Sequence, residues 1–130
     1  MRWQSAKRAA QARKFGPIRS DFVKSFRFCL CCGATKELCC HEIVCGNSLR
    51  AAAEKDRATW LAVCDHCNKY LITDYSVWPI VRQLALKWIY DHEYFDLDRI
   101  CELRGRKPGC IEMYEVIPHI CRQLDGMLEW

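Results

Sequence analysis

The stretch of sequence that decides this fold is residues 29–68, CLCCGATKELCCHEIVCGNSLRAAAEKDRATWLAVCDHCN. It opens with one Cys-x-x-Cys pair and closes with a second, and about thirty residues separate the two pairs. Zn²⁺ is commonly held by four thiolates that two short turns supply. We therefore predict one tetrahedral zinc site, whose ligands are Cys29, Cys32, Cys64 and Cys67.

The length of 130 residues suits one compact domain with a modest core, which a bound metal would reinforce. No apolar run approaches the eighteen or so residues that a membrane span requires. The basic N-terminus also lacks the apolar region of a signal peptide. From these features we expect a soluble protein that does not act at a membrane.

Eleven cysteines are an unusually high number, and because the number is odd at least one thiol is left over in any full pairing. The adjacent cysteines at 31–32 and 39–40 favour a reducing compartment and a metal over a set of disulfides. We therefore expect a cytoplasmic protein. Three further cysteines lie far apart in the C-terminal part, and we expect them to be small buried apolar residues: Cys101, Cys110 and Cys121.

Charge is distributed unevenly along the chain. Residues 1–27 carry eight basic residues and one acidic residue, whereas acidic residues are in excess over the remainder. This asymmetry predicts that residues 1–20 form a basic arm that contacts a polyanion, with the phosphates of DNA as the obvious candidate. Candidate phosphate contacts are Arg8, Arg13 and Lys14 in the arm and Arg50 and Lys69 near the zinc motif.

Apolar runs predict two short strands, at residues 37–43 and 59–63, and a helix that begins near Asp65. Joined by the cysteine pairs, they form a zinc-stapled ββα core over residues 21–75. Helical patterns follow over residues 80–88, 97–104 and 111–124, and Pro118 predicts a break or a new helix start in the last of them. The fold class is therefore α+β, with residues 76–130 as a helical C-terminal extension packed on the core.

This order of motifs resembles the HNH endonucleases, the ββα-metal nucleases of bacteria and phages, over residues 28–72. Matched position by position, His41 falls where the family has a metal ligand, and Glu42 falls where it has a general-base histidine. Thr59 falls at the middle asparagine of the family, and Asn68 takes the position of the last metal ligand. The chain thus departs from the family pattern at Glu42 and Thr59.

The resemblance implies a hydrolase that cleaves DNA phosphodiester bonds with Mg²⁺ or another divalent cation in a bacterial or phage-infected cell. It also implies a protein partner, because many small phage nucleases of this type act with larger assemblies. His41, Glu42, Thr59 and Asn68 are then the predicted catalytic residues.

Two assignments of His41 and Glu42 stay open. Phosphodiester hydrolysis requires a base that deprotonates water and a cation that stabilises the developing charge. In the first assignment His41 and Asn68 hold the cation and Glu42 is the base. In the second, Glu42 supplies a hard oxygen ligand and His41 accepts the proton. Strand register favours the first, since neighbouring residues point to opposite faces, whereas acid–base chemistry favours the second.

Other interpretations compete with this site. His41 can be a zinc ligand, with Cys39 or Cys40 in place of one of the four cysteines above. Asn47 can stand in for the missing middle asparagine, although Gly46-Asn47 also fits a turn.

The sequence therefore supports an HNH-type endonuclease first. The alternative is a catalytically degenerate HNH-fold zinc module that binds nucleic acid or a protein partner, and a third possibility is a purely structural zinc protein.

Overall fold

A computed structural model describes residues 16–43 and 50–128 of the chain. Five residues discussed above lie outside these ranges: Arg8, Arg13, Lys14, Gly46 and Asn47. For Arg50 only the backbone is described.

Helices and one small sheet make up the described chain. Residues 16–24 form helix α1, and the strands are β1 (Leu38–Glu42) and β2 (Trp60–Cys64). The later helices are α2 (Arg50–Ala53), α3 (Ile80–Tyr90), α4 (Leu97–Leu103) and α5 (Met113–Leu128). Two 3-10 turns, Arg57–Thr59 and His92–Tyr94, and a π-helix, Cys67–Leu71, complete the order. The fold is therefore α+β, as predicted.

The strands β1 and β2 form an antiparallel pair in which His41 is opposite Leu61 and Glu42 is opposite Trp60. Every residue of β2 is buried. Leu61 belongs to the main core, whereas Trp60 packs with Phe22 of α1 on the other face. Elements therefore cover both faces of β2, which is why its sequence is a continuous apolar run rather than an alternating one.

One cluster of buried side chains extends from the metal-binding part of the chain into the helical part. It includes Cys29 before β1, Leu61 in β2, Leu84 in α3, Ile100 in α4 and Val116 in α5. Helices α3 and α5 pack against each other within it. The hairpin and the C-terminal helices thus share one core.

Helix α1 crosses residue 20, the boundary at which the sequence divides arm from core. Phe22 is buried against Trp60, and its ring lies edge-on to the indole at 5.4 Å between centroids. Arg19 donates to Glu42 and to the backbone oxygen of Cys40. Residues on both sides of the boundary therefore contact the hairpin.

The predicted break at Pro118 is wrong, because α5 is continuous from Met113 to Leu128. A proline inside a helix removes one backbone hydrogen bond and crowds the preceding turn, but here the apolar face with Val116 and Ile120 packs in the core. That packing holds the helix on both sides of Pro118.

The prediction that the three C-terminal cysteines are buried holds only for Cys101. Cys110 and Cys121 are exposed. Cys110 lies in the loop after α4, and Cys121 lies on the side of α5 that faces away from the core, so chain position rather than residue type decides their burial.

Lys87 on α3 is fully buried. Its Nζ donates to the backbone oxygen of Trp60 over 2.8 Å and to Asp91 Oδ2 over 2.5 Å. Burial lowers the pKa of Lys87 to about 8, against the opposing effect of Asp91. The lysine is therefore charged at neutral pH and connects α3 to the start of β2.

None of the described helices has the length and apolar character needed to cross a membrane.

Candidate metal centre

The sulfurs of Cys29, Cys32, Cys64 and Cys67 lie within 4.8 Å of one another. The sulfur atoms of Cys32 and Cys64 are 3.7 Å apart. Zn–S bonds of about 2.3 Å in a tetrahedron place their sulfurs about 3.8 Å apart, so the group can hold a metal ion such as zinc.

The first two ligands come from a tight turn. Cys29 donates its backbone N–H to Ala34 over 2.7 Å, and Gly33 donates to the backbone oxygen of Cys29 over 2.8 Å. Gly33 has φ +81°, a conformation that side chains other than glycine rarely accept. The backbone N–H of Cys31 is 3.4 Å from the Cys29 sulfur. These backbone bonds thus hold Cys29 and Cys32 in one turn.

The other two ligands lie where β2 passes into a helical turn. Cys64 is the last residue of β2, and Cys67 is the first residue of the π-helix. The backbone N–H of Cys67 lies 3.4 Å from the Cys64 sulfur. Leu30 donates to the backbone oxygen of Ala62 over 3.0 Å, which ties the first turn to β2. Backbone bonds therefore bring the two turns together.

The electrostatics of the four thiols favour a cation between them. Burial opposes ionisation of Cys29, but hydrogen bonds from backbone groups of Cys64, Cys32 and Cys31 lower its pKa to about 7. Burial and the neighbouring sulfurs raise the pKa of Cys67. Thiolates this close repel one another, and a divalent cation supplies the charge that lets all four ionise.

The structure thus brings the four predicted cysteine ligands together. Among the described residues, the cluster includes none of His41, Cys39 and Cys40.

His41 is buried and hydrogen-bonded to a helix. Its Nε2 lies 2.8 Å from Oε1 of Gln83 on α3. Gln83 uses its Nε2 to donate to the backbone oxygens of Ile72 and Trp78, over 3.1 and 2.9 Å. Its Oε1 is therefore an acceptor, and His41 donates from Nε2. The neutral ring keeps Nδ1 as an acceptor.

Asn68 lies beside His41. Burial lowers the pKa of His41, while hydrogen bonds with the side chains of Gln83 and Asn68 oppose the change. Asn68 is half-buried on the π-helix, one residue after Cys67. The cysteine cluster holds this helix beside β1, so the structure brings two of the predicted site residues together. A ring nitrogen and an amide oxygen are both possible ligands of a divalent cation.

Glu42 points to the other face of β1. Its Oε1 accepts a hydrogen bond from Arg19 Nη1 over 2.9 Å, and the pair is partly buried. His41 and Glu42 both pair in regular register with β2, so the strand is not distorted between them. Successive side chains of a regular strand alternate between faces. The structure therefore does not bring Glu42 to His41 and Asn68.

Thr59 is fully buried, and its hydroxyl lies 3.0 Å from the backbone oxygen of Ala53 and 2.9 Å from that of Asp56. These contacts close the turn that leads into β2.

Lys69, a predicted phosphate contact, is exposed and pairs with Asp65 over 3.0 Å.

Sequence reasoning missed Gln83 and Arg19. Gln83 had a detectable signal, because it is a polar residue within an apolar stripe of α3 and such residues commonly make buried hydrogen bonds. Arg19 gave no such signal, since it is one of many basic residues near the N-terminus.

Comparisons with protein-family models, with curated proteins and with solved structures found no match to this chain. The geometry of the metal centre and its neighbours therefore carries the functional argument.

Proposed function

We propose that this chain is an HNH-like ββα zinc module that binds DNA without hydrolysing it. The observation that carries the proposal is the direction of two neighbouring side chains. His41 is directed to Gln83 on α3, and Glu42 is directed to Arg19 on α1. An HNH-type reaction needs a base and a bound cation at one place, and this strand separates the two candidate residues.

The zinc has a structural role in this proposal. Four thiolates fill its coordination sphere and leave no open position for water or phosphate. Zinc then holds the hairpin against the π-helix, and part of its binding energy stabilises the fold.

The DNA-binding part is the basic N-terminal arm together with α1. Eight basic residues within 1–27 favour a polyanion. Arg19 and Lys24 line a cleft of about 410 Å³ between α1 and β1. Arg19 is anchored by Glu42 and by the backbone oxygen of Cys40, which fixes α1 on the hairpin, and exposed Lys24 is the cation that this helix presents at the cleft.

A second candidate function is DNA hydrolysis, and the closeness of His41 and Asn68 favours it. In this alternative the two residues hold Mg²⁺ or another divalent cation, or Nδ1 of His41 accepts the proton of the attacking water. Glu42 takes no part, because it reaches neither residue.

A plasmid assay separates the two functions. The full chain with zinc is incubated with supercoiled DNA, with and without Mg²⁺ or Mn²⁺, beside Asn68→Ala and Glu42→Gln. The proposal expects no nicking by any of the three proteins. Divalent-dependent nicking that Asn68→Ala abolishes and Glu42→Gln retains would establish hydrolysis and overturn it.

DNA binding is measured on the same plasmid sequence over a series of salt concentrations. We expect binding that weakens steeply with salt, and a flatter slope after deletion of residues 2–15, which removes five basic residues. Absence of binding at low salt would refute both functions and leave a protein partner or a purely structural role.

A further inference from the structure

A second cleft, which we call the Tyr94 cleft, lies on the side of α1 where Phe22 meets β2. Its volume is about 460 Å³, within the range of small-molecule sites. Its walls combine three aromatic side chains, Phe22, Trp60 and Tyr94, with three charged ones, Asp21, Lys55 and Arg57. It shares no lining residue with the metal centre.

Arg57 is held rigidly at this cleft. Its guanidinium lies 4.0 Å from the Tyr94 ring centroid and 5.0 Å from that of Phe22. Its Nε and Nη2 donate to the two oxygens of Asp91 over 3.2 and 2.9 Å. Within the described chain, Nη1 has no acceptor. The side chain is 35% exposed, so a pre-positioned cationic donor remains available to a ligand.

Asp91 does not fully neutralise the charge of Arg57, because the same carboxylate also pairs with buried Lys87. Two cations therefore share one carboxylate. Among the acidic residues near the cleft, Asp21 and Glu93 are exposed to solvent, and Asp56 pairs with Arg99. The buried side of the cleft is thus cationic, and Asp21 at its wall can accept hydrogen bonds from a hydroxyl or an amino group.

The aromatic side chains supply the second half of a binding site. Tyr94 is 41% exposed although Arg57 covers one face of its ring. Trp60 is buried, and its Nε1 has no hydrogen-bond acceptor in the described chain. Trp60 is only 2% exposed, so the Tyr94 ring is the aromatic surface that is available for stacking.

We propose that the Tyr94 cleft binds a nucleoside phosphate. The base stacks on Tyr94, the phosphate accepts from Arg57 Nη1 and Lys55, and Asp21 accepts from a hydroxyl or amino group. The nucleotide is either an unpaired residue of a nucleic-acid strand or a free mononucleotide. The first form rests on the DNA binding proposed above, and it adds a preference for single-stranded over duplex DNA, because a paired base cannot stack on a protein ring.

The test uses the full zinc-loaded chain and three probes: a labelled single-stranded oligothymidylate, the same strand annealed to its complement, and thymidine 5′-monophosphate. Two variants change the cleft, Tyr94→Leu and Lys55→Gln. Two matched controls change exposed residues outside it, Tyr114→Leu and Lys107→Gln. Zinc content and thermal unfolding establish that each variant is folded.

We expect Tyr94→Leu to raise the single-strand Kd at least about fivefold, the loss of one stacked base, with duplex binding changed less than about twofold. For the single strand, Lys55→Gln should make the negative slope of the logarithm of the association constant against log salt less steep by about 0.7. The two controls should match the wild type.

The outcomes separate this inference from the proposed function. Duplex and single-strand binding that neither cleft variant alters would overturn the inference and leave DNA binding intact. Mononucleotide binding that Tyr94→Leu weakens, without binding of either DNA, would support the cleft and refute DNA binding. Binding of no probe would overturn both.

Discussion

The ring of His41 and the side-chain amide of Gln83 form a buried hydrogen bond, with 2.8 Å between Nε2 and Oε1. Because two backbone carbonyls occupy the amide nitrogen of Gln83, the direction of this bond and the tautomer of His41 are set. The pair connects β1 to α3 across the core. Burial lowers the pKa of His41, and the bond to Gln83 supplies the buried ring with the hydrogen-bond partner that it would otherwise lack.

Acid should destabilise the folded chain through His41. Burial lowers the pKa of His41 in the folded chain below its ordinary value of about 6.5. The unfolded chain therefore binds a proton that the folded chain resists, and the stability contributed by the neutral ring is lost as pH falls from about 6.5 through the lower pKa of the folded chain. Urea unfolding at pH 7.5, 6.5 and 5.5 measures this loss.

His41→Gln is the informative variant for the acid effect, because glutamine keeps an N–H donor and does not titrate. Its free energy of unfolding should fall less between pH 7.5 and 5.5 than that of the wild type. His92→Gln, at an exposed histidine, should keep the wild-type dependence. An equal dependence in His41→Gln and the wild type would contradict the prediction, since acid release of zinc is common to all three proteins.

Removing the Gln83 amide should be costly. Gln83→Leu leaves the N–H of His41 and the backbone oxygens of Ile72 and Trp78 without their partner. We expect a loss of about 3 kcal/mol in the free energy of unfolding, since each buried unmatched group costs about 1–3 kcal/mol. Urea unfolding at pH 7.5 measures it. Gln123→Leu on α5 is the control, and equal losses in the two variants would refute the role of the network.

The cysteine cluster predicts one zinc per chain, with Cys32 as a ligand although it is exposed. Cys32→Ser should lower the zinc content well below one per chain and reduce the thermal stability, because three thiolates and a hydroxyl bind zinc more weakly. Elemental analysis and thermal unfolding measure both effects. Cys110→Ser changes another exposed thiol outside the cluster and should retain zinc. Full zinc content in Cys32→Ser would count against this ligand.

Two Lys–Asp ion pairs, each between residues four apart in the chain, should differ in their contribution to stability. Lys87 and Asp91 form a buried pair, whereas Lys69 and Asp65 form an exposed one. Lys87→Met should cost about 3 kcal/mol, because Asp91 and the Trp60 carbonyl lose a buried partner. Lys69→Met should change the free energy of unfolding by less than about 0.5 kcal/mol. Urea unfolding of both variants tests this difference, and similar values would show that burial does not set the energy of these pairs.

The sequence by itself identified the hairpin and the four cysteines that cluster as candidate metal ligands. Two Cys-x-x-Cys turns each fix a pair of ligands through local backbone geometry, and the apolar run of β2 is recognisable without its neighbours. The α+β class follows from the same local signals. The continuous helix through Pro118 is a case in which local propensity gave the wrong answer, because packing against α3 outweighs one missing hydrogen bond.

Only the tertiary structure decided which side chains His41 and Glu42 bind. Alternation along β1 predicts that they face opposite ways, but it does not say what lies on each side. Gln83 comes from a helix 42 residues later in the chain, and Arg19 comes from one 23 residues earlier. A side chain's chemistry depends on the groups that surround it, and those groups are set by packing between distant elements.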